Sequence, residues 1–473
     1  MVMSVPDLQG KRVLVVGLGR SGLAVAKLCA AKGAVVTVTD KKAAADLAAQ
    51  VAALPAGTLQ ELGEHRVQTF RTADLIVLSP GVPEGKELIA ARAAGVPVTG
   101  ELELAARFTE ATIVGITGTN GKSTTTTLCG VMLKGTGRPT FVGGNLGTPL
   151  AEVVGTPAAA LGGLCVIEVS SFQAETFEHF RPQVAVLLNI TADHLDRHDG
   201  IDGYVAAKAR LFAAQRESDF AVMNLDDPLV GQVARKVRAH WIAFSTRQAL
   251  TEGGWLQDDS LCIRVPGGEI ERYPAETPRL VGRHNQENAL AALLAARLAG
   301  ALPAEVHRGL VGFRPLPHRM ELVAKVHGVQ YFDDSKGTNV GAAVAALTGF
   351  PRPVVLIAGG RDKGGSYEPL ADTLSKVGRG VVLIGEAADR MEAALQGVVP
   401  VKRAESMEQA VRAASELAKA GDAVVLSPAC SSFDMFRDYN HRGEEFAQAT
   451  KKLEKEVEDG GSEPQWVRPR ADS

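Results

Sequence analysis

The stretch Gly115-Ile116-Thr117-Gly118-Thr119-Asn120-Gly121-Lys122-Ser123-Thr124 carries the residue types that grip a nucleoside triphosphate. Consecutive backbone N–H groups can cradle phosphates, the Lys122 ammonium can offset β- and γ-phosphate charge, and the Ser123 hydroxyl can hold Mg²⁺. The spacing departs from G-x-x-x-x-G-K-[ST], because Ile116 stands where the first glycine belongs and Gly115 lies one residue early. A plain turn is the alternative. A phosphate loop of this kind needs an acidic metal partner at the end of a neighbouring strand, and Val166-Ile167-Glu168-Val169-Ser170-Ser171 offers Glu168 inside an apolar run. A buried carboxylate without a partner is costly, so Glu168 meets either metal or water through the triphosphate, or an arginine or lysine of the core.

Further reactive groups lie on either side of this pair. In Asn189-Ile190-Thr191-Ala192-Asp193-His194-Leu195-Asp196-Arg197-His198 the two histidines have the i,i+4 spacing of helical zinc ligands, but Leu195 occupies the place of the glutamate a zinc protease carries. His194 could instead ligate a second Mg²⁺ or be an ordinary loop histidine. Gly17-Leu18-Gly19-Arg20-Ser21-Gly22, with Asp40 closing the next apolar run, matches a dinucleotide-binding turn whose helix N-terminus is open to phosphate. NAD fits it, the diphosphate of any other nucleotide fits the same amides, and the glycines could serve tight packing alone. Lys208, in Tyr204-Val205-Ala206-Ala207-Lys208-Ala209-Arg210, has the spacing of a solvated lysine on an amphipathic helix.

The elements that must position these groups are short runs rich in Val, Ile and Leu at 12–16, 35–39, 75–78, 112–116, 165–169, 184–188, 354–358, 381–384 and 423–426, separated by Ala-rich helical segments. They read as buried parallel strands of α/β sheets, too many for one sheet. At about 150 residues per domain, 473 residues give about three α/β domains. The expected limits are a Rossmann-like domain at 1–104, a central P-loop ATPase-like domain with a mostly parallel sheet at 105–315, a C-terminal Rossmann-like domain at 316–457, and a mobile polar tail at 458–473. Gly100-Glu101-Leu102-Glu103 precedes the strand that opens the phosphate loop, and Phe313-Arg314-Pro315-Leu316-Pro317-His318 carries two prolines. Residues 261–265, Pro266-Gly267-Gly268 and 269–273 read as a hairpin closing the middle domain.

Composition narrows the function classes. With 51 Lys+Arg against 54 Asp+Glu the formal charge is −3, whereas a general nucleic-acid binder should be basic. Aromatic residues make up 5%, too few for a base-stacking platform. Five scattered cysteines suggest neither a disulfide framework nor a zinc cage and fit a reducing compartment. The first ten residues hold no basic segment followed by an apolar one, and no run of about 18 uncharged apolar residues occurs, so neither export nor membrane insertion is expected. A cytoplasmic protein that binds neither nucleic acid nor membrane is expected.

Jointly, the motifs resemble the Mur ligase family of ATP-dependent amide-forming enzymes. The set comprises residues 117–124 and 189–198, Glu-Val-Ser-Ser-Phe-Gln at 168–173, Gly-Arg-His-Asn-Gln-Glu-Asn-Ala at 282–289, and Pro-His-Arg-Met-Glu at 317–321. It continues with Asp-Asp-Ser-Lys-Gly-Thr-Asn at 333–339, Gly-Gly-Arg-Asp-Lys-Gly at 359–364, and Ser-Pro-Ala-Cys-Ser-Ser-Phe-Asp at 427–434. The opening glycine turn, Ser79-Pro80-Gly81 and the 427–434 stretch resemble the D-glutamate-adding member, and the Asp-Asn-Pro-Arg-type motif of the diaminopimelate- or lysine-adding member is absent.

The resemblance implies that a monomer joins D-glutamate to UDP-N-acetylmuramoyl-L-alanine in peptidoglycan precursor synthesis, through an acyl phosphate and a tetrahedral intermediate, with release of ADP and phosphate. It implies catalytic roles for Lys122, His194, Lys208 and Lys363. ATP would meet Gly118, Thr119, Asn120, Gly121, Lys122, Ser123, Thr124, Asn285, Asn288, Arg319 and Asp334. Two Mg²⁺ ions would be held by Ser123, Glu168, His194 and a CO₂-derived carbamate on Lys208, the carbamate turning a cation into an anionic oxygen ligand. The UDP-sugar would meet Arg20, Ser21, Asp40, Lys41, Gly81, Asn145, Ser170 and His194, and D-glutamate would meet Thr338, Lys363, Ser432 and Tyr439. Lys41-Lys42 replaces a commoner Thr-Arg near the uracil. Tyr439 stands where Phe is also seen and Gly337 where Ala is commoner, and neither is expected to touch the chemistry. The alternatives are a family member that adds L-alanine or extends folates, an NAD(P)-dependent oxidoreductase, and a P-loop NTPase that binds a protein partner.

Overall fold

The computed structural model describes residues 6–194, 197–277, 280, 282–314, 316–348, 350–362 and 364–460. The apolar runs form strands of three sheets, because strands covered on both faces can afford no polar side. In the first, β1 (Arg12–Val16), β2 (Val35–Asp40), β3 (Leu59–Leu62), β4 (Leu75–Leu78) and β5 (Val98–Gly100) are parallel in the order β3-β2-β1-β4-β5. The order reverses between β1 and β4, and the crevice at such a reversal is where open α/β sheets take ligands. The glycine turn after β1 and the Ser79-Pro80-Gly81 loop after β4 meet there: Ser79 Oγ donates to the Gly17 carbonyl at 2.7 Å.

The second sheet comprises β6 (Thr112–Thr117), β7 (Thr140–Gly144), β8 (Leu164–Glu168), β9 (Val184–Leu187), β10 (Phe220–Asn224), β11 (His240–Ser245), β12 (Gly253–Gln257), β13 (Ser260–Arg264) and β14 (Glu271–Pro274). Its order is β14-β13-β12-β11-β10-β9-β6-β8-β7, parallel except for the antiparallel edge β12-β13-β14. The hairpin expected to close this domain is β13 and β14. Because β6 lies between β8 and β9, with Ile116 opposite Glu168 and Thr117 opposite Leu187, the phosphate loop, Glu168 and the segment after β9 leave the sheet at one end.

The third sheet comprises β15 (Glu321–Val326), β16 (Val329–Asp333), β17 (Val354–Gly359), β18 (Gly378–Ile384), β19 (Val401–Arg403) and β20 (Ala423–Leu426), in the order β15-β16-β20-β17-β18-β19. Only β15 and β16 pair antiparallel, so the loops after β16, β17 and β20 open at one end.

Helix Glu101–Ala106 is buried at every residue, and its Leu102, Leu104 and Ala105 belong to a core that the first two sheets share. These two sheets form one compact unit, whereas the third sheet groups with residues 191–194 and 282–284 in another. The expected runs are all strands, with shifted ends: 165–169 becomes Leu164–Glu168, so Glu168 closes its strand, and 381–384 extends back to Gly378. Strands such as β3 carried no sequence signal because they are half-solvated, with Leu59 57% exposed. The last helix, Tyr439–Gly460, runs three residues into the segment expected to be tail from 458, and the remainder of that segment lies outside the described residues. All five cysteines are buried free thiols. Among the described residues no helix is long and apolar enough to cross a membrane.

Candidate active site

The phosphate loop leaves β6 at Thr117 and enters helix Lys122–Lys134. Gly121 makes the turn with φ +81°, and a Cβ there would collide with Asn288 Oδ1, so only glycine fits. The loop is fixed from the segment after β9: the Thr119 N–H donates to the Asn189 carbonyl at 2.9 Å and the Asn120 N–H to Asn189 Oδ1 at 2.8 Å. Asn288, on helix Arg283–Leu298, accepts from Thr125 Oγ1 at 3.3 Å, with Asn285 one turn earlier and half-buried. Ser123 and Thr124 are buried in the first turn of the loop's helix. Gly118, which leads into this turn, is buried too.

Lys122 Nζ folds back onto the loop's own carbonyls, 2.9 Å from Gly118 and 2.7 Å from Thr119. Lys208 does not behave as a solvated lysine. Its helix, Ile201–Ala209, turns Tyr204, Ala207 and Lys208 inward, leaving Lys208 1% exposed. Its Nζ donates to the same Gly118 carbonyl at 2.8 Å and lies 4.4 Å from the Tyr204 ring centroid, a cation–π contact. Two ammonium groups on one carbonyl are at most about 6 Å apart, which at an effective dielectric of about 20 is a repulsion of order 3 kcal/mol.

Glu168 is buried at the neighbouring strand end, where its Oε1 accepts from Asn145 Nδ2 at 2.6 Å and its Oε2 has no hydrogen-bond partner. No arginine or lysine of the core pairs with it among the described residues. An orphaned, buried carboxylate oxygen beside a phosphate loop fits a hard divalent cation, which keeps waters and phosphates and needs only one or two protein carboxylates. Ser170 follows and caps helix Ser171–Ala174, accepting from the Gln173 N–H at 3.2 Å.

The two histidines do not share a helix face. His194 has φ +53° and stands 3.7 Å from Asp193, while His198 is buried, 2.9 Å from Ser171 Oγ and 3.2 Å from Glu175 Oε1. The left-handed turn at His194 breaks the i,i+4 geometry, and its residues group with the third sheet's unit. Among the described residues no set of three or more His, Cys, Asp or Glu is placed to hold a metal.

In the first-sheet crevice Asp40 accepts from the Leu18 N–H at 2.7 Å and the Lys42 N–H at 2.9 Å. A Cβ at Gly22 would collide with the Gly17 carbonyl, so that glycine serves close packing as well as any ligand. Arg20 Nη2 donates to Thr148 Oγ1 at 3.1 Å, Ser21 is half-buried, and Lys41 and Gly81 are exposed. A small cavity of about 30 Å³ lies beside Ser79, Gly81, Phe172 and Gln173. Its wall includes Glu101, a residue that sequence reasoning passed over. Glu101 is 1% exposed, Oε1 accepts from the Ala151 N–H at 2.9 Å, Oε2 is unpartnered, and burial pushes its carboxyl up to about 7.

At the open end of the third sheet Asp334 is buried and accepts from Ser427 Oγ at 2.7 Å. Burial pushes its carboxyl up to about 7, against the opposing pull of Ser427 and Arg319. Arg319 sits between two left-handed residues, His318 (φ +62°) and Met320 (φ +47°). A Cβ on Gly337 would lie 2.6 Å from Ser427 Oγ and 2.7 Å from Asp334 Oδ2. Gly337 is therefore not neutral to packing: in this chain it makes room for the Ser427–Asp334 bond. Thr338 is half-buried, Ser432 is buried, and the Lys336 ammonium lies 3.8 Å from the Tyr439 ring centroid. Paired Arg361–Ser431 backbone bonds of 2.9 and 3.2 Å tie the loop after β17 to the loop after β20. Lys363 lies outside the described residues.

Comparison with known proteins matches three profiles in order: "Mur ligase MurD-like, N-terminal domain" at residues 11–100, "Mur ligase middle domain" at 116–296, and "Mur ligase, glutamate ligase domain" at 318–430. Proteins named UDP-N-acetylmuramoylalanine–D-glutamate ligase from Geotalea daltonii and Anaeromyxobacter dehalogenans are 48% and 49% identical to the chain, over 94% of it and 98% of their own lengths. Among solved structures, MurF ligase from Thermotoga maritima in complex with ADP aligns with a TM-score of 0.57 at 19% identity, covering 97% of this chain and 98% of its own. A pseudomurein peptide ligase type C from Methanothermus fervidus aligns with a TM-score of 0.59 at 19% identity, covering 94% and 100%. The two structures establish likeness of fold.

Proposed function

The chain belongs to the Mur ligase family, and we propose that within it the protein joins D-glutamate to UDP-N-acetylmuramoyl-L-alanine with ATP as the energy source, a step of peptidoglycan precursor synthesis. Relatives of nearly half identity over almost their whole length carry that activity in their names. The observation that carries the chemistry is the crowding of Lys122 and Lys208 on the Gly118 carbonyl, beside the neighbouring strand end that bears the open Glu168 oxygen.

A carboxylate is a poor acyl donor, and its oxygen must become a leaving group before an amine can displace it. Transfer of the γ-phosphoryl group to the L-alanyl carboxylate does this, but it brings anions together. Lys122 exchanges its loop carbonyls for the β- and γ-phosphate oxygens, while the 118–124 amides hold the phosphate chain. Ser123 and Glu168 would hold Mg²⁺, with a second site built from His194 and Lys208, and bound Mg²⁺ supplies charge neutralisation at the transferring phosphoryl group. Asn285, Asn288, Arg319 and Asp334 are read as contacts to the nucleotide.

Lys208 acts as its carbamate. Carbamylation would replace the ammonium beside Lys122 by an anionic group, turning two like charges on the Gly118 carbonyl into an attractive pair. The neutral amine of D-glutamate then attacks the acyl carbon, and the tetrahedral intermediate expels phosphate. Thr338, Lys363, Ser432 and Tyr439 orient the amino acid, with Lys363 available to pair with a carboxylate. Arg20, Ser21, Asp40, Lys41, Gly81, Asn145 and Ser170 are assigned to the UDP-sugar, and His194 is assigned to it as well. A monomeric cytoplasmic enzyme with domains at 1–104, 105–315 and 316–457 completes the reading.

The test is phosphate release from ATP with UDP-N-acetylmuramoyl-L-alanine and a panel of amino acids. Turnover with D-glutamate, and none without either acceptor, is expected. Turnover supported by L-alanine or meso-diaminopimelate in place of D-glutamate would contradict the proposal.

A further inference from the structure

Among the described residues the largest fully buried side chain is that of an arginine, Arg442, at 0% exposure on helix Tyr439–Gly460. Among the described residues none of its hydrogen-bond partners is a carboxylate. Nε donates to Ser335 Oγ at 3.0 Å, Nη2 to the Ser335 carbonyl at 2.8 Å, and Nη1 to the Cys430 carbonyl at 3.1 Å. Burial pulls the guanidinium down to about 10 from its ordinary value. An apolar side chain of similar volume would fill the same space without that desolvation. What it could not do is hold two backbones at a set distance with the fixed fork of a guanidinium.

Those backbones belong to the two loops that carry the residues assigned to D-glutamate. Ser335 lies three residues before Thr338 and Cys430 two before Ser432. The loop that carries Cys430 contains a conformation that does not hold itself: Ala429, just before Cys430, has φ +59°. Against it packs Gly360 of the loop after β17, where a Cβ would collide with the Ser431 carbonyl. Left-handed residues of this kind persist only where their surroundings over-determine them. Ser335 Oγ extends the clamp by donating to the Tyr439 carbonyl at 2.8 Å, so a third assigned residue is tied to the same guanidinium.

We propose that Arg442 is the positioning residue of the amino-acid pocket: by fixing the Ser335 and Cys430 backbones it sets the spacing of Thr338, Ser432 and Tyr439 around the carboxylates of the incoming amino acid. This rests on the assignment of those residues to D-glutamate made above.

The test uses full-length Arg442→Met, Arg442→Lys and Ser335→Ala. It measures initial rates against each substrate, calorimetric binding of ADP and of UDP-N-acetylmuramoyl-L-alanine, and thermal melting. For folded Arg442→Met the KM for D-glutamate should rise about ten- to a hundredfold, the range expected for lost charged hydrogen bonds, with binding of the other two ligands unchanged. Arg442→Lys should recover part of that loss, and Ser335→Ala should show a smaller rise in the same KM. Should Arg442→Met fail to fold, Ser335→Ala decides. A wild-type D-glutamate KM in the deciding variant, or an equal rise in the KM of all three substrates, would overturn the proposal. Should the wild-type enzyme prefer another amino acid, the assigned substrate fails, and the same variants are scored on that amino acid's KM.

Discussion

Two glycine-rich turns, each leaving a central parallel strand for a helix, treat their polar groups in opposite ways. After β1, Asp40 is engaged by the Leu18 and Lys42 N–H groups, and Gly22 packs against the Gly17 carbonyl. After β6, two ammonium groups crowd the Gly118 carbonyl and Glu168 keeps an oxygen with no partner. The first turn is complete within the chain. The second brings two ammonium groups onto one carbonyl beside an open carboxylate oxygen, where the proposed triphosphate and its cations would add the opposing charges. Glycines at a strand-to-helix turn therefore say little about chemistry, whereas charges crowded or left over beside them say a good deal.

The sharpest way to break this contrast is Lys122→Ala. If the second turn holds phosphate, turnover should fall by about 10²–10³, the scale of losing one charge-stabilising donor. Calorimetric binding of UDP-N-acetylmuramoyl-L-alanine should stay within twofold, and a loss of both would signal misfolding instead. Next comes Lys208→Ala, for which a loss of about 10² is expected, partly restored by millimolar formate or acetate standing in for the carbamate. Full activity without added carboxylate would remove Lys208 from the site.

The first turn should respond differently. Asp40→Ala leaves two N–H groups without their acceptor and should cost about 1–3 kcal/mol of stability by chemical denaturation, with the KM for ATP unchanged. A larger effect on ATP use than on stability would erase the distinction between the turns.

A smaller effect separates the cavity wall from both. Burial raises the Glu101 carboxyl to about 7 from its ordinary 4.5, so the folded chain keeps a proton that the unfolded chain releases. The sign follows: its contribution to stability is fully present below pH 4.5 and is lost as pH rises through 7. Glu101→Gln should therefore flatten the fall in denaturation midpoint between pH 5 and pH 8, by on the order of 1–2 kcal/mol. Parallel profiles for the two proteins would show that Glu101 does not titrate there.

The apolar strands and the order of the motifs were legible because a fully buried strand needs an unbroken apolar run, and 12–16, 75–78 and 423–426 match β1, β4 and β20 end for end. The phosphate loop was legible for a related reason, since phosphate-binding backbone demands glycine at fixed places. Lys208, Glu101 and Arg442 were not. Periodicity counts apolar residues, so a buried lysine on the inward face of its helix reads as part of the solvated face. Arg442 is hidden further, because the sequence surrounds it with Arg437, His441, Glu444 and Glu445. Its partners, Ser335 and the Cys430 carbonyl, lie 107 and 12 residues away in sequence. Gly337 follows the same logic: its lack of a side chain matters only because Asp334 and Ser427 meet beside it.

The acyl phosphate is tested most directly by oxygen labelling. UDP-N-acetylmuramoyl-L-alanine with ¹⁸O in both carboxylate oxygens is turned over with ATP and D-glutamate, and the released phosphate is analysed by mass. If the carboxylate takes the γ-phosphoryl group and later leaves as phosphate, each phosphate carries one ¹⁸O. Phosphate free of label, with all of the ¹⁸O lost to water or retained in the product, would contradict the account.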